Sequence, residues 1–140
     1  MTFYVEAIVL VVDDDASQVL IVKTFLENGG HRVVTASSGP AALDIVRALD
    51  EPLLLLVTDV EMPGMTGREL AKMLREVQPD LRVLYVTSHP DNLFGRSSLL
   101  GSHEAFLEKP VTSSALSEAV RLLLRATPDD EWEQPVDPRR

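Results

Sequence analysis

The sequence predicts an α/β fold in which a doubly wound, five-stranded parallel sheet is flanked by helices. Five short runs rich in aliphatic and β-branched residues recur along the chain, and each has the length of a strand. Segments with helical spacing of apolar residues separate these runs. The runs are apolar on both faces instead of alternating, which is typical of parallel strands covered by helices on both sides.

The predicted strands follow one another at intervals that leave room for a helix after each. They are AIVLVV from Ala7, RVVTA from Arg32, LLLLVTD from Leu53, RVLYVT from Arg82 and AFLEK from Ala105. Because strand alternates with helix throughout, the chain is expected to build parallel crossovers around one sheet.

Four apolar stripes between and after these strands predict amphipathic helices. Gly29 and Gly30 are expected to end the first helix, and Ser113 or Ser114 is expected to cap the last. Residues 90–102 are expected to form a short helix, the fourth of five, because glycines and serines interrupt their apolar pattern. The stripes are Val19, Val22, Phe25 and Leu26; Ala42, Ile45, Val46 and Leu49; Leu70, Leu74 and Val77; and Leu116, Ala119, Val120, Leu123 and Leu124.

The length of 140 residues fits one domain, which is expected to span residues 1–126, followed by an acidic, proline-containing disordered tail over 127–140. The net charge of −9 disfavours direct binding to nucleic acid or anionic lipid. No apolar run is long enough to span a bilayer. The absence of cysteine suits a reducing compartment, so the cytoplasm is the expected location.

Reactive side chains stand at the carboxyl ends of four predicted strands, where doubly wound sheets bind their ligands. Asp13 and Asp14 follow the first strand, Asp59 ends the third, Thr87 ends the fourth, and Lys109 lies in the fifth. Any one of them alone has an ordinary structural explanation, such as a helix cap or a surface lysine. Their joint placement at one edge of the sheet indicates a site.

A cluster of three carboxylates predicts a bound cation, because the negative charges would otherwise repel one another. Oxygen ligands favour a hard cation, and Mg²⁺ typically takes one or two carboxylates together with phosphate oxygens. The three histidines lack the spacing of a zinc site. A carboxylate beside Mg²⁺ can accept a phosphoryl group, with Lys109 neutralising the developing charge and Thr87 offering a hydroxyl donor.

These residues resemble the receiver domain of bacterial two-component response regulators, with similarity also to the receivers of hybrid histidine kinases. The resemblance rests on four ordered motifs between Ile8 and about Arg125. They are VLVVDDD at the first strand, VTDVEMPGMTG around Asp59, YVTS at the fourth strand and FLEKP at the fifth.

The resemblance implies a flavodoxin-like fold with strand order 2-1-3-4-5. It implies that Asp59 is the phosphoacceptor and that Asp13, Asp14, Asp59 and the backbone carbonyl of Glu61 bind Mg²⁺. It further implies that Thr87 and Phe106 form a switch pair and that Lys109 bridges to the phosphoryl group. A domain of this kind is a signalling module and catalyses only its own phosphorylation and dephosphorylation.

The implied partners are a histidine kinase or histidine phosphotransfer protein, and an output protein that binds the face from the fourth to the fifth predicted helix. A homodimer is compatible with the resemblance. An initiating Met1 and the lack of a further domain after Arg125 favour a stand-alone regulator. A receiver module excised from a hybrid sensor histidine kinase is the alternative.

Other classes of function fit the motifs less well. A Mg²⁺-dependent aspartyl-phosphate phosphohydrolase usually carries Asp-x-Asp at the first strand, whereas here Asp14 directly follows Asp13 and the candidate nucleophile is on the third strand. Nucleotide binding would require a glycine-rich phosphate loop after the first strand. A docking-only pseudo-receiver would not need every acidic, hydroxyl and lysine position to be filled.

Overall fold

The computed structural model describes residues 7–89 and 103–125 of the chain. Five strands form one sheet in which every neighbouring pair is parallel, in the order β2-β1-β3-β4-β5. The predicted fold class is therefore confirmed, together with the strand order implied by the resemblance. The strands are β1 (Ile8–Val12), β2 (Arg32–Ala36), β3 (Leu53–Asp59), β4 (Val83–Thr87) and β5 (Glu104–Glu108).

Four helices lie within the described part of the chain. They are α1 (Ala16–Asn28), α2 (Gly39–Ala48), α3 (Gly67–Arg75) and α4 (Ser113–Arg125). The predicted helix over residues 90–102 and the predicted tail over 127–140 lie outside the described residues, so α4 corresponds to the last of the five predicted helices. None of these four helices is both long and apolar enough to cross a membrane.

The hydrophobic core consists of two layers, one on each face of the sheet. Alternate residues of β1 point to opposite faces, as the two-residue period of a strand requires. Ile8 and Leu10 pack in the layer covered by α2 and α3. Val9 and Val11 pack in the layer covered by α1 and α4. Burial on both sides explains why β1 and β3 have continuous apolar sequences.

Three local predictions are corrected by the structure. Val77 is 79% exposed because α3 already ends at Arg75, so this residue belongs to a turn and not to the buried stripe. The last helix is capped by Thr112, whose Oγ1 accepts a hydrogen bond from the amide of Ala115, and not by Ser113 or Ser114. Lys109 follows β5 directly instead of lying within it.

The entry to β3 is held by one glutamine side chain. Gln78, in the turn after α3, accepts a hydrogen bond from the amide of Leu53 at 3.0 Å and donates one to the carbonyl of the same residue at 2.7 Å. Leu53 is buried, so both backbone groups would lose a partner if the amide were removed. Gln78 thereby helps to position the strand that ends in Asp59.

We expect Gln78→Ala to lower the free energy of unfolding by about 1 to 3 kcal/mol, because it leaves buried backbone groups of Leu53 unsatisfied. Urea denaturation would measure the loss. Lys72→Ala is the control, since Lys72 has an exposed side chain on α3. Its effect should stay within about 0.5 kcal/mol. Equal losses in the two variants would contradict the role given to Gln78.

Candidate functional site

Three carboxylates meet at the carboxyl ends of the two central strands. Asp13 follows β1, Asp59 ends β3, and these strands are hydrogen-bonded neighbours with Val12 opposite Thr58. Carboxylate oxygens of Asp13, Asp14 and Asp59 all lie within 4.8 Å of one another. Asp13 and Asp59 are buried, whereas Asp14 is exposed. The structure thus brings together the three acids that the sequence predicted to form a cluster.

Lys109 forms ion pairs with two of these carboxylates. Its Nζ lies 3.1 Å from Oδ2 of Asp13 and 3.4 Å from Oδ2 of Asp59. Burial alone would lower the pKa of this lysine, but its hydrogen bond to Asp13 and the negative charges of Asp13 and Asp59 together raise the pKa. Lys109 is therefore held in its charged form beside the acids.

Asp59 is the carboxylate whose ionisation is opposed by its surroundings. Burial raises the pKa of Asp59, and the neighbouring charge of Asp13 raises it further. Lys109 and the amide of Glu61, which donates to Oδ1 of Asp59 at 3.4 Å, act in the opposite direction and only partly offset these effects. Its ionised form therefore gains from any additional positive charge in the pocket.

The chemistry of the donor set fits Mg²⁺. Its side chains offer only oxygen ligands, which suit a hard cation. Asp13, Asp14 and Asp59 could hold the ion, and the open side at Asp14 leaves room for water or phosphate oxygens. Glu61 follows Asp59 by two residues, and its carbonyl is the fourth candidate ligand implied by the resemblance. When bound, Mg²⁺ would neutralise negative charge on the reacting phosphoryl oxygens.

Asp15 has a structural role that complements the site. Its Oδ1 accepts hydrogen bonds from the Ser17 hydroxyl at 2.6 Å and the Ser17 amide at 2.9 Å, so it is the N-cap of α1. These bonds lower the pKa of Asp15. Its own amide donates to Oδ1 of Asp13 at 2.9 Å. Asp15 therefore caps α1 and also orients Asp13.

The proposed switch residues lie on the two strands at one side of Asp59. Thr87, the last residue of β4, is buried, and its Oγ1 accepts a hydrogen bond from the amide of His89 at 2.9 Å. Phe106 is half-buried in β5 and packs against the core layer that contains Tyr85, its partner in the β4–β5 register. The amide of Lys109 donates to the Thr87 carbonyl at 2.9 Å. Thr87 and Lys109 are thus joined through the backbone.

A contact at the mouth of the site was missed by the sequence analysis. Nδ1 of His89 lies 3.5 Å from Oε1 of Glu61, with both side chains largely exposed. The two residues stand at equal distances in the sequence, two positions after Thr87 and two after Asp59 respectively. Because β3 and β4 are parallel neighbours, this equal spacing was the signal that could have paired them.

Gly67 permits a close backbone approach at the phosphoacceptor candidate. A Cβ placed on Gly67 would collide with the backbone carbonyl oxygen of Asp59. The amide of Gly67 also donates to the Val60 carbonyl at 2.9 Å. The first residue of α3 is therefore packed directly on the chain segment that carries Asp59, and any side chain there would displace it.

This is a parallel α/β domain with a cluster of carboxylates at one edge of its sheet that could hold a metal ion. The family model for the response regulator receiver domain matches residues 9–121. The chain therefore belongs to the receiver domain family of two-component systems.

Individual relatives agree with this assignment. The chain is 32% identical over 117 residues to the sensor histidine kinase GacS of Pseudomonas protegens, covering 80% of this chain and 12% of GacS. It is 35% identical over 116 residues to the C4-dicarboxylate transport transcriptional regulatory protein DctD of Pseudomonas aeruginosa, covering 83% of this chain and 25% of DctD. The chain thus spans only a small part of these relatives, one a kinase and the other a transcriptional regulator.

A solved structure gives the same result at the level of the fold. The response regulator receiver protein from Sinorhizobium medicae superposes with a TM-score of 0.75 at 28% identity, covering 86% of this chain and 96% of that protein. The aligned part of this chain therefore covers almost the whole of that receiver protein.

We expect Asp59→Asn to raise the melting temperature by a few degrees at neutral pH in the presence of a chelator. Because the pKa of Asp59 is raised in the folded state, its ionised form destabilises the fold, and this penalty disappears as the pH falls through that pKa. The advantage of the variant should therefore shrink as the pH is lowered toward about 4. Thermal unfolding between these pH values measures it.

The control is Asp44→Asn, which alters an exposed acid paired with Arg47 on α2. This variant should gain no stability, because exposed ion pairs and carboxylates contribute little. A destabilised Asp59→Asn protein at neutral pH would mean that Lys109 more than compensates for burial and for Asp13.

Proposed function

We propose that this chain is a phosphoacceptor receiver in a two-component phosphorelay and that Asp59 accepts the phosphoryl group. The observation that carries the proposal is the place of Asp59 in the sheet. β3 lies between β1, which supplies Asp13, and β4, which supplies Thr87. Lys109, after β5, reaches across to contact Asp59. A phosphoryl group on Asp59 would thus have acidic cation ligands on one side and hydrogen-bond donors on the other.

The transfer proceeds as a displacement at phosphorus. An oxygen of the ionised Asp59 carboxylate attacks the phosphorus of a phosphohistidine or a small acyl phosphate, and a new O–P bond forms. The bond from phosphorus to the donor nitrogen or oxygen breaks, and its electron pair stays with the leaving group, which takes a proton from solvent where needed. Asp13 and Asp14 would hold Mg²⁺ against the phosphoryl oxygens during this step.

Lys109 is proposed to neutralise first the carboxylate of Asp59 and then the phosphoryl group attached to it. As a compact ammonium on a flexible stem, it can exchange its contact with Asp59 Oδ2 for one with a phosphoryl oxygen. Its second contact, with Asp13, keeps it within reach. Hydrolysis of the acyl phosphate by water would return the domain to its starting state, so its only catalysis is its own phosphorylation and dephosphorylation.

Thr87 and Phe106 are proposed to convert this local event into a change of surface. The Thr87 hydroxyl already accepts a hydrogen bond from His89, so its proton is available for donation to a phosphoryl oxygen. Movement of Thr87 toward Asp59 would vacate space beside β5, and inward rotation of Phe106 would fill it. The two positions of Phe106 would differ in packing alone, because its ring carries no hydroxyl.

The partners follow from this chemistry as part of the proposal. The donor would be a histidine kinase or a histidine phosphotransfer protein. The output protein would bind the face from the predicted fourth helix, which lies outside the described residues, to α4. A stand-alone regulator fits the receiver protein from Sinorhizobium medicae, of which the chain covers 96%, and a module of a hybrid kinase fits the sensor histidine kinase GacS. The cytoplasm is the proposed location.

Acetyl phosphate should add one phosphoryl group to the protein only when Mg²⁺ is present, because the acids need a cation to bind a phosphoryl donor. Intact-mass measurement would detect the addition. Asp59→Asn should remain unmodified, and excess chelator should abolish labelling of the wild type. Labelling of the Asn variant, or equal labelling with chelator, would overturn the assignment of Asp59 and of the metal.

Thr87→Ala should still accept the phosphoryl group but fail to transmit its presence, since the moving hydroxyl is gone. In the wild type, phosphorylation should shift amide resonances in β5 and in α4 from Leu116 to Leu123. The variant should lose these shifts while keeping those around Asp59. Thr24→Ala, an exposed change on α1, is the matched control and should respond like wild type. A full set of shifts in Thr87→Ala would rule out this switch.

A further inference from the structure

Gly39, the first residue of α2, lies against a side chain from the loop that follows Asp59. A Cβ built on Gly39 would come within 2.5 Å of Sδ, 2.9 Å of Cγ and 2.9 Å of Cβ of Met65. Cβ atoms in proteins essentially never approach other heavy atoms this closely. The space above Gly39 is therefore filled by Met65, and the absence of a side chain at position 39 is what allows it.

Met65 could not avoid a larger residue at position 39 by changing rotamer alone. Its sulfur could swing away, because methionine is flexible. Its Cβ, however, is attached to the backbone, and that atom is also too close. A methyl group on residue 39 would therefore have to move either α2 or the backbone of the loop at Met65.

The start of α2 is the more firmly held of the two sides. Ser38 caps the helix through Oγ, which accepts from the amide of Ala41 at 3.1 Å, and its carbonyl accepts from the amide of Ala42 at 3.0 Å. Ala42 is fully buried in the core. Displacement of α2 would disrupt these contacts, so the loop is the side that would shift.

The loop is held by the start of α3 on one side and by the buried residues Val60 and Met62 on the other, so a displacement of Met65 would act on the exposed residues among them. Thr66 and Glu69 form a reciprocal capping box at the start of α3, with bonds of 2.9 and 3.0 Å. Val60 is buried at the other end. Between them lie Glu61, whose carbonyl is the candidate metal ligand, and Gly64, whose φ of +83° allows the chain to turn.

We propose that Gly39 is a positioning residue for the metal site. Because Gly39 has no side chain, Met65 can pack against the start of α2. This packing fixes the position of the loop that carries the Glu61 carbonyl. α2 contributes no ligand of its own, yet it would then determine the position of one. This inference rests on the proposed Mg²⁺ site, and the experiment is arranged so that the two can fail separately.

The test compares Gly39→Ala, Met65→Gly, the double variant and Gly29→Ala. Met65→Gly removes the Cβ, Cγ and Sδ atoms that an added Cβ at position 39 would meet. Alanine is a better helix former than glycine, so without the contact to Met65 the substitution at position 39 should stabilise α2. Gly29 is the matched control because its nearest contact to an added Cβ is 3.4 Å, an ordinary van der Waals distance. Mg²⁺ affinity is measured from the rise in melting temperature with Mg²⁺, and amide resonances of Glu61 and Gly64 are recorded in chelator.

Gly39→Ala should move the Glu61 and Gly64 resonances without metal and weaken Mg²⁺ binding about tenfold, as changes beside metal ligands commonly do. Gly29→Ala should do neither. Because the methyl group acts through Met65, the double variant should bind Mg²⁺ within about twofold of Met65→Gly alone. If the two changes acted independently, their effects on Mg²⁺ affinity would multiply instead.

A folded Gly39→Ala protein with wild-type resonances and Mg²⁺ affinity would overturn the inference, and so would multiplying effects in the double variant. If Gly39→Ala does not fold, the double variant decides: recovery of folding supports the contact, and continued failure contradicts it. If wild type itself shows no response to Mg²⁺, the proposed metal site fails, and Gly39 is judged on the metal-free resonances alone.

Discussion

The repulsion among Asp13, Asp14 and Asp59 is the constraint on which the rest of the site depends. Parallel strands β1 and β3 end at the same edge, so the fold itself forces Asp13 and Asp59 together. Burial raises the pKa of Asp59, and the neighbouring charge of Asp13 raises it further. Positive charge must enter the pocket, and Lys109 supplies part of it from the far side of β4. The proposed binding of a cation and of a phosphoryl group would be favoured by this imbalance.

Besides the ion pairs of Lys109, contacts that involve the backbone keep these charges close together. Asp15 caps α1 and holds Asp13 through its amide. Gly67 lets α3 begin directly against the carbonyl of Asp59. Gln78 holds the start of β3. Because each of these contacts involves the main chain, the acids cannot relax apart without disturbing a strand or a helix end.

The parts of this architecture that sequence could predict are those carried by strand ends. Asp13, Asp59 and Thr87 each follow or end an apolar run, and parallel topology then places them at one edge. The periodicity of apolar residues did not predict that α3 would end before Val77. The exposed valine in the turn continues the helical spacing of Leu70 and Leu74. The contact between Gly39 and Met65 was equally hidden. It depends on how closely two distant segments approach, which side-chain patterns along one segment do not encode.

The sheet also divides the residues of the site by how freely they can move. β1 and β3 are central and buried on both faces, so Asp13 and Asp59 sit on backbone that the core holds in place. β5 is an edge strand in the described sheet and is only half-buried, which leaves Phe106 less tightly packed than residues of β3. Rearranging a partly exposed ring disturbs fewer contacts than rearranging a core side chain. Asp13 and Asp59 therefore lie on the best-packed backbone of the described sheet, and the proposed switch residue Phe106 lies where a second side-chain position disturbs the fewest contacts.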